Sequence, residues 1–258
     1  MLLRSIIDSI ESVAPLSYQE DWDNSGMQVG DTGADIKAVL LTTDVTESVV
    51  DEAVMLGCQL IISHHPLLFH GLRQLCGQSA QARCVEKAIR SGVAVYSSHT
   101  AMDSYLHGVS GRIARRLGVK NCRILSPAGE GYGLGVIGEL DEAMDYEAFL
   151  RLVKERMDAS WVRYTACPKD EIRRVAVCGG SGAEFIGEAV AQGADVYLTA
   201  DCKYHEFQDA AGRIGLVDID HWVSEHYTRE IFAELLTEAG VKWYISQQDQ
   251  TPIHILKD

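Results

Sequence analysis

No two of the seven cysteines form a C-x-x-C pair, and their number is odd. A disulfide framework and a zinc knuckle are thereby excluded, leaving reduced thiols, several of them inside apolar strands. Positive charge is also scarce, with 23 Lys and Arg against 37 Asp and Glu and a formal net charge of −14. Basic residues gather only in pairs such as Arg115-Arg116 and Arg173-Arg174. Without a basic stripe, DNA or RNA is not the main partner. No apolar run approaches the length of a membrane-spanning helix. The opening MLLRSIIDSIESVAP is interrupted by Arg4, Asp8 and Glu11. Its apolar residues recur at intervals of three and four, so it reads as an amphipathic helix and not a signal peptide. The expectation is a cytoplasmic protein with no membrane segment.

What remains is an ordinary folded composition, 47% hydrophobic and 23% charged over 258 residues. That length suits one large or two modest domains. Strands are predicted at 36–43, 58–63 and 93–98, with helices at 46–56, 79–91 and 108–117. The second half repeats the style, with strands at 173–178, 194–199, 215–219 and 241–245 and helices at 183–192 and 224–239. Between them, 126–165 reads as an α+β stretch, with a strand near 133–140 and a helix near 145–157. Alternation of this kind argues for βαβ units. The fold class is therefore α/β, as two linked α/β lobes with mostly parallel sheets. No low-complexity linker marks the boundary, which is drawn softly near 125 (1–125 and 126–258).

An internal echo supports two lobes. VVDEAVMLGCQLIISHH (49–65) aligns without gaps on FIGEAVAQGADVYLTAD (185–201), with Glu52/Glu188, Ala53/Ala189, Val54/Val190 and Gly57/Gly193 identical. Sites in such folds form at the C-terminal ends of strands.

Three stretches of chemistry stand at such ends: Ser63-His64-His65-Pro66, SSHTAMDS with His99 and Asp103, and DHWVSEHYT with His221 and Glu225. Neutral imidazole and carboxylate are the usual ligands of zinc, iron or manganese. His221 and Glu225 are four apart, as are His99 and Asp103, a spacing that shares one helix face. Adjacent residues of a strand point to opposite faces. With Pro66 holding residue 65 extended, His64 and His65 are expected to diverge and serve different ions. Such ions would lie roughly 3.5–4 Å apart with a bridging carboxylate. Thiolate is missing from the set, which argues against a purely structural zinc.

The stretches WDNSGMQVG (22–30), IISHHPLLF (61–69), SSHTAMDS (97–104), CGGSG (178–182), TADCKYHEFQDA (199–210) and DHWVSEHYT (220–228) resemble the NIF-three-like dinuclear metal-centre family. Its bacterial members are labelled GTP cyclohydrolase 1 type 2-like. The resemblance spans nearly the whole chain. It implies two linked α/β lobes, a two-metal cleft between them and a homohexameric ring. It also implies two divalent ions per chain: His64 and His221 on one, His65 and Asp103 on the other, Glu225 bridging. His99 is then a near neighbour with a role in proton transfer or in holding a ligand in place. Asp220 departs from the glycine that precedes the histidine in many relatives, and the chain is too short for the domain that longer members insert.

Other matched residues carry weaker expectations. CGGSG could hold an anion on backbone N–H groups, although a tight turn that needs glycine is the simpler reading. Lys203, Asp201 and Asn24 are candidate substrate contacts. Two divalent ions against two carboxylates leave a net positive charge that would attract an anionic small molecule despite the acidic exterior. The reaction expected is metal-dependent hydrolysis of a nucleotide or other phosphate-bearing compound, with Glu225 and His99 as catalytic groups. The alternative is a non-enzymatic metal-binding ring that regulates a protein partner.

Overall fold

Val39-Leu40-Leu41 and Leu60-Ile61-Ile62 are unbroken apolar runs, the pattern of strands covered on both faces. All six side chains are fully buried. In the computed structural model, which describes residues 1–256, these runs pair in parallel. By contact the described residues form two compact units, residues 1–102 with 228–250 and residues 103–227 with 251–256.

The first unit contains α1 (Leu3–Glu11), β1 (Gly26–Val29), β2 (Ala38–Thr42), α2 (Glu47–Met55), β3 (Leu60–Ser63), α3 (Ala80–Ser91) and β4 (Ala94–Ser97). It also holds most of α4 (Thr100–Asp103) and the late elements α10 (Thr228–Glu238) and β11 (Lys242–Ile245). Its sheet runs β1-β4-β3-β2-β11, parallel except for β1. Helix α1 buries Leu3, Ile6, Ile7 and Ile10, one face at helical spacing. Thr46 and Ser79 cap α2 and α3 by accepting from the N–H groups of Val49 and Ala82. Val49, Val50 and Ala53 of α2, and Val85 and Ala88 of α3, pack on Leu40, Ile61 and Val95 of the sheet. Each large aliphatic side chain so buried contributes about 1.5–3 kcal/mol.

The second unit contains α5 (Val109–Arg116), β5 (Lys120–Gly129), β6 (Tyr132–Asp145), α6 (Tyr146–Arg156), β7 (Arg163–Tyr164) and β8 (Glu171–Ser181). It continues with α7 (Ile186–Ala191), β9 (Val196–Ala200), α8 (Tyr204–Ala210), β10 (Gly215–Ile219) and α9 (His221–Glu225). The sheet order is β5-β6-β8-β9-β10-β7. Strands β8, β9 and β10 are parallel, while β5, β6 and β7 run antiparallel to their neighbours. Residues 103–125, assigned by a cut at 125 to the first lobe, group here by contact. The physical reason is α5. A Cβ on Gly179 of β8 would come within 2.6 Å of Val109 Cγ1, so glycine there lets α5 lie directly on the strand.

The sequence echo becomes one topology used twice. Val39 pairs with Leu60 and Leu41 with Ile62; Val175 pairs with Val196 and Val177 with Leu198. Both pairs of strands therefore have the same register at the same offset. In each unit a third parallel strand follows (β4, β10), and it carries an antiparallel edge strand from upstream (β1, β7).

The helix predicted over 224–239 is two helices, α9 and α10, with a break at His226 and Tyr227. Tyr227 holds that break: its hydroxyl donates to Asp158 at 3.1 Å, and the Arg116 guanidinium lies 3.7 Å from its ring centre. Among the described residues, no helix is long and apolar enough to cross a membrane.

Candidate metal centre

In the first unit, Ser63 pairs with Ser97, so β3 and β4 end level with each other. That puts residues 64–65 beside residues 98–99. Their backbones stay in the ladder, with the His64 N–H donating to the Thr42 carbonyl at 3.2 Å and the His65 N–H to Thr43 at 2.9 Å. The ring centroids of His64 and His65 are 5.0 Å apart, and each lies 5.2–5.4 Å from His99. One ligand nitrogen from each of the three imidazoles lies within 4.8 Å of the others. Both residues lie just beyond Ser63, the last residue of β3. Ser63 Oγ turns the chain by donating to the His65 carbonyl at 2.8 Å.

All three rings are held at Nδ1 by an oxygen. His64 Nδ1 lies 3.1 Å from the Ser98 carbonyl, His65 Nδ1 lies 2.9 Å from Asp44 Oδ1, and His99 Nδ1 lies 2.9 Å from Asp23 Oδ1. An oxygen acceptor fixes the proton on Nδ1 and makes Nε2 the nitrogen that would ligate a metal.

Asp23 is the most elaborate of these holders, with a fully buried side chain. Oδ2 accepts from Thr100 N at 3.1 Å, Thr100 Oγ1 at 2.6 Å and Ser25 Oγ at 2.8 Å. Oδ1 also accepts from Asn24 N at 2.7 Å, and Ser25 Oγ accepts from the His99 N–H at 2.9 Å. Burial pushes the carboxyl pKa upward, but hydrogen bonds from His99, Thr100 and Ser25 outweigh it and hold the group well below the usual range. Trp22 and Phe69, both exposed, stand 5.9 and 6.1 Å from the His99 ring centre and give it an aromatic rim.

In the second unit, β10 ends at Ile219 and Asp220 caps α9 by accepting from Val223 N. One helical turn then joins His221 to Glu225, with Nε2 to Oε2 at 2.9 Å. His221 Nδ1 lies 2.7 Å from Asp201 Oδ2. Burial would lower the His221 pKa, yet its hydrogen bonds to Asp201 and Glu225, reinforced by their charges, push it up to about 11. Without metal the ring is an imidazolium clamped between two carboxylates. A metal would take the place of the proton on Nε2.

Gly180 has φ +67°, and a Cβ there would sit 2.1 Å from Glu225 Oε1. Glu225 is buried and engaged with His221, so it has little room to yield. The Gly180 N–H donates to Ser224 Oγ at 2.9 Å. The CGGSG stretch thus makes room for a carboxylate. Asp103 ends α4. Its negative charge, after burial, is the second cause that pushes the Cys178 thiol up to about 12.

These groups fit a divalent transition ion: imidazoles oriented through Nδ1 and a buried carboxylate, with no thiolate in either group. His64, His65 and His99 form one group, and His221 and Glu225 meet in the second unit. Asn24 Nδ2 donates to the Leu68 carbonyl at 2.7 Å, which ties the 22–25 turn to the loop after the doublet. Lys203 heads α8, its backbone N–H donating to Glu206 and its side chain exposed. Sequence reasoning missed Asp23 and Asp44. Asp23 lay inside a matched motif, WDNSG, but its partner is 76 residues away.

Comparison with known proteins places these features in context. A family model described as Duf34/NIF3 (NGG1p interacting factor 3) matches residues 1–252. A Clostridium perfringens protein called GTP cyclohydrolase 1 type 2 homolog is 31% identical over 262 residues, covering 99% of this chain and 100% of its own length. A Streptococcus pneumoniae protein of the same name is 32% identical, with 94% of this chain and 91% of the relative covered. Among solved structures, a Bacillus cereus protein related to NIF3 superposes with a TM-score of 0.91 at 26% identity, covering 99% of both chains.

Proposed function

The chain belongs to the Duf34/NIF3 family, and from that premise we propose that it is a dinuclear metal-dependent hydrolase acting on an anionic small molecule, a nucleotide or another phosphate-bearing compound. The proposed ligands are His64 and His221 for one ion, His65 and Asp103 for the other, with Glu225 serving both. One observation carries the reading. Each proposed imidazole ligand has its Nδ1 held by an oxygen, from Ser98, Asp44 or Asp201. Side chains that merely pack do not need that shared orientation, whereas ligands do.

Divalent ions held there would supply Lewis acidity and a water acidified enough to attack near neutral pH. The protein's own groups do the rest. Asp23 keeps the proton on His99 Nδ1, so that Nε2 can receive a proton from the attacking water and return it to the leaving group. Glu225, fixed by His221 and by the space at Gly180, positions the ligands around it. Asp201 orients His221. The exposed Lys203 offers a cation to the anionic end of the substrate. Zinc, ferrous iron and manganese all suit this donor set.

GTP is the first substrate to test, because the relatives bear the name GTP cyclohydrolase 1 type 2 homolog. A ring of six copies is the assembly proposed with it, and light scattering reads that directly. The test of function is turnover of GTP, other nucleotides and simple phosphoesters by fully metallated protein, beside Asp103→Ala. The proposal expects turnover that the variant loses while keeping its assembly. No turnover of any of them by metal-loaded protein would overturn the hydrolase reading and leave a regulatory metal-binding role.

A further inference from the structure

The end of β10 opens onto a cavity of about 420 Å³ that lies wholly within the second unit. That volume suits a nucleoside-sized ligand. Its walls are apolar: Trp161 from the loop before β7, Ile219 from the end of β10, and Ile253 and Ile255 from the stretch 251–256. The two isoleucines remain 52% and 43% exposed, so part of their apolar surface is still to be covered. Open apolar surface around a concavity marks a binding site more often than chance packing.

The floor of the cavity is acidic. Asp220 is buried, and its Oδ1 accepts from Val223 N at 3.3 Å to cap α9. Among the described residues its Oδ2 has no hydrogen-bond partner. Asp201 lines the same cavity and gives Oδ2 to His221 Nδ1 at 2.7 Å. A buried carboxylate oxygen calls for a donor, and an occupant of the cavity can bring one.

Shape and charge select that occupant. A second cation is disfavoured because Arg163 already lines the cavity, with Cζ 5.4 Å from the Trp161 ring centre. Its Nη2 is tied to Asp218 at 2.6 Å and to the Cys202 carbonyl at 3.1 Å. A neutral flat ring fits better. It can spread on the indole and cover the isoleucines, while N–H groups on its edge meet the carboxylate.

We propose that this cavity receives the base of the substrate: a neutral heteroaromatic ring with N–H donors side by side on one edge, as in guanine. Asp220 accepts from that edge and Trp161 stacks on the ring. The assignment rests on the hydrolase reading above for the substrate being a nucleotide, and it names the residues that choose the base. His221 lines the same cavity, so a base held there leaves the rest of the ligand beside a proposed metal ligand.

The experiment is calorimetric binding of guanosine, which carries the ring and no phosphate, to metal-loaded protein. In the wild type, 1-methylguanosine has lost the N1 donor and adenosine presents an acceptor there. Both are expected to bind at least about tenfold more weakly than guanosine. Asp220→Asn keeps a side chain able to cap α9, and it is expected to weaken guanosine binding by roughly ten- to a hundredfold. Trp161→Ala is expected to cost about tenfold, and Trp161→Phe to recover most of that loss. The comparison of nucleosides needs no substitution, so it stands even where a variant folds poorly.

Guanosine that fails to bind at millimolar concentration, or binds no better than 1-methylguanosine and adenosine, overturns the inference. So does binding that Asp220→Asn or Trp161→Ala leaves unchanged. The hydrolase reading fails separately. Guanosine bound in the expected order by metal-loaded protein that turns over no nucleotide or phosphoester keeps the base site and removes the reaction. Turnover of phosphoesters without any binding of guanosine keeps the reaction and removes the base site.

Discussion

Asp23 Oδ1 accepts the proton of His99 Nδ1 at 2.9 Å, across 76 residues of sequence. The same carboxylate gathers Ser25 and Thr100, so one buried charge fixes both the turn and the imidazole it presents. Replacing it with the isosteric Asn removes the charge and puts a donor opposite a donor. Asp23→Asn is expected to cost about 1–3 kcal/mol, the penalty for an unsatisfied buried group, read by urea unfolding at neutral pH. The sign with pH follows from the direction of the shift. A carboxyl held below its unfolded value contributes stability that is present above the ordinary carboxylate range and is lost as pH falls through the folded value. The gap between wild type and Asp23→Asn should therefore narrow on acidification.

Gly180 makes a different prediction. Gly180→Ala places a methyl 2.1 Å from Glu225 Oε1 at a φ of +67°. Gly193→Ala places one at φ +72° with nothing within 4 Å. Backbone strain is common to both and costs about 1 kcal/mol. Only Gly180→Ala should also weaken metal binding, because only there is a proposed ligand displaced. Paired denaturation curves and metal titrations separate the two effects.

His221 ties metal uptake to protons. Its pKa in the metal-free protein is pushed up to about 11, with Asp201 and Glu225 overcoming the effect of burial. Being raised, it contributes stability fully present below the ordinary histidine value of about 6.5 and lost as pH rises towards 11. A metal must displace that proton. Calorimetry in buffers of different ionisation enthalpy is expected to show proton release on uptake at neutral pH, and less release in His221→Ala.

Metal should also stabilise the fold. An ion that binds only the folded chain raises stability by roughly 2.7 kcal/mol at a hundred times its dissociation constant. Melting with and without zinc is expected to show a clear upward shift, abolished by chelator and reduced in Asp44→Ala, which frees the His65 ring from its holder.

Much of this was legible in the sequence, for physical reasons. Strands β2 and β3 announce themselves as apolar runs because both faces of a parallel strand are covered. The repeat of residues 49–65 in 185–201 reports a shared βαβ unit, and the structure adds a shared strand register. What local pattern does not carry is anything decided by strand ends meeting. The end of the strand at 63 can be read from the apolar run, but not that the His64 and His65 rings there stand beside His99. Asp44 and Asp23 hold histidines 21 and 76 residues away, distances that only the β2-β3-β4 pairing closes. The break between α9 and α10 depends on Tyr227 reaching Asp158, again a tertiary contact.

The most direct test of the central claim is metal content per chain by elemental mass spectrometry, on protein purified without chelator or nickel resin, beside His65→Ala. The account predicts about two ions per chain in the wild type and fewer in the variant. A wild type that carries no metal and takes up none on reconstitution would contradict it, and the four oriented histidines would then be structural.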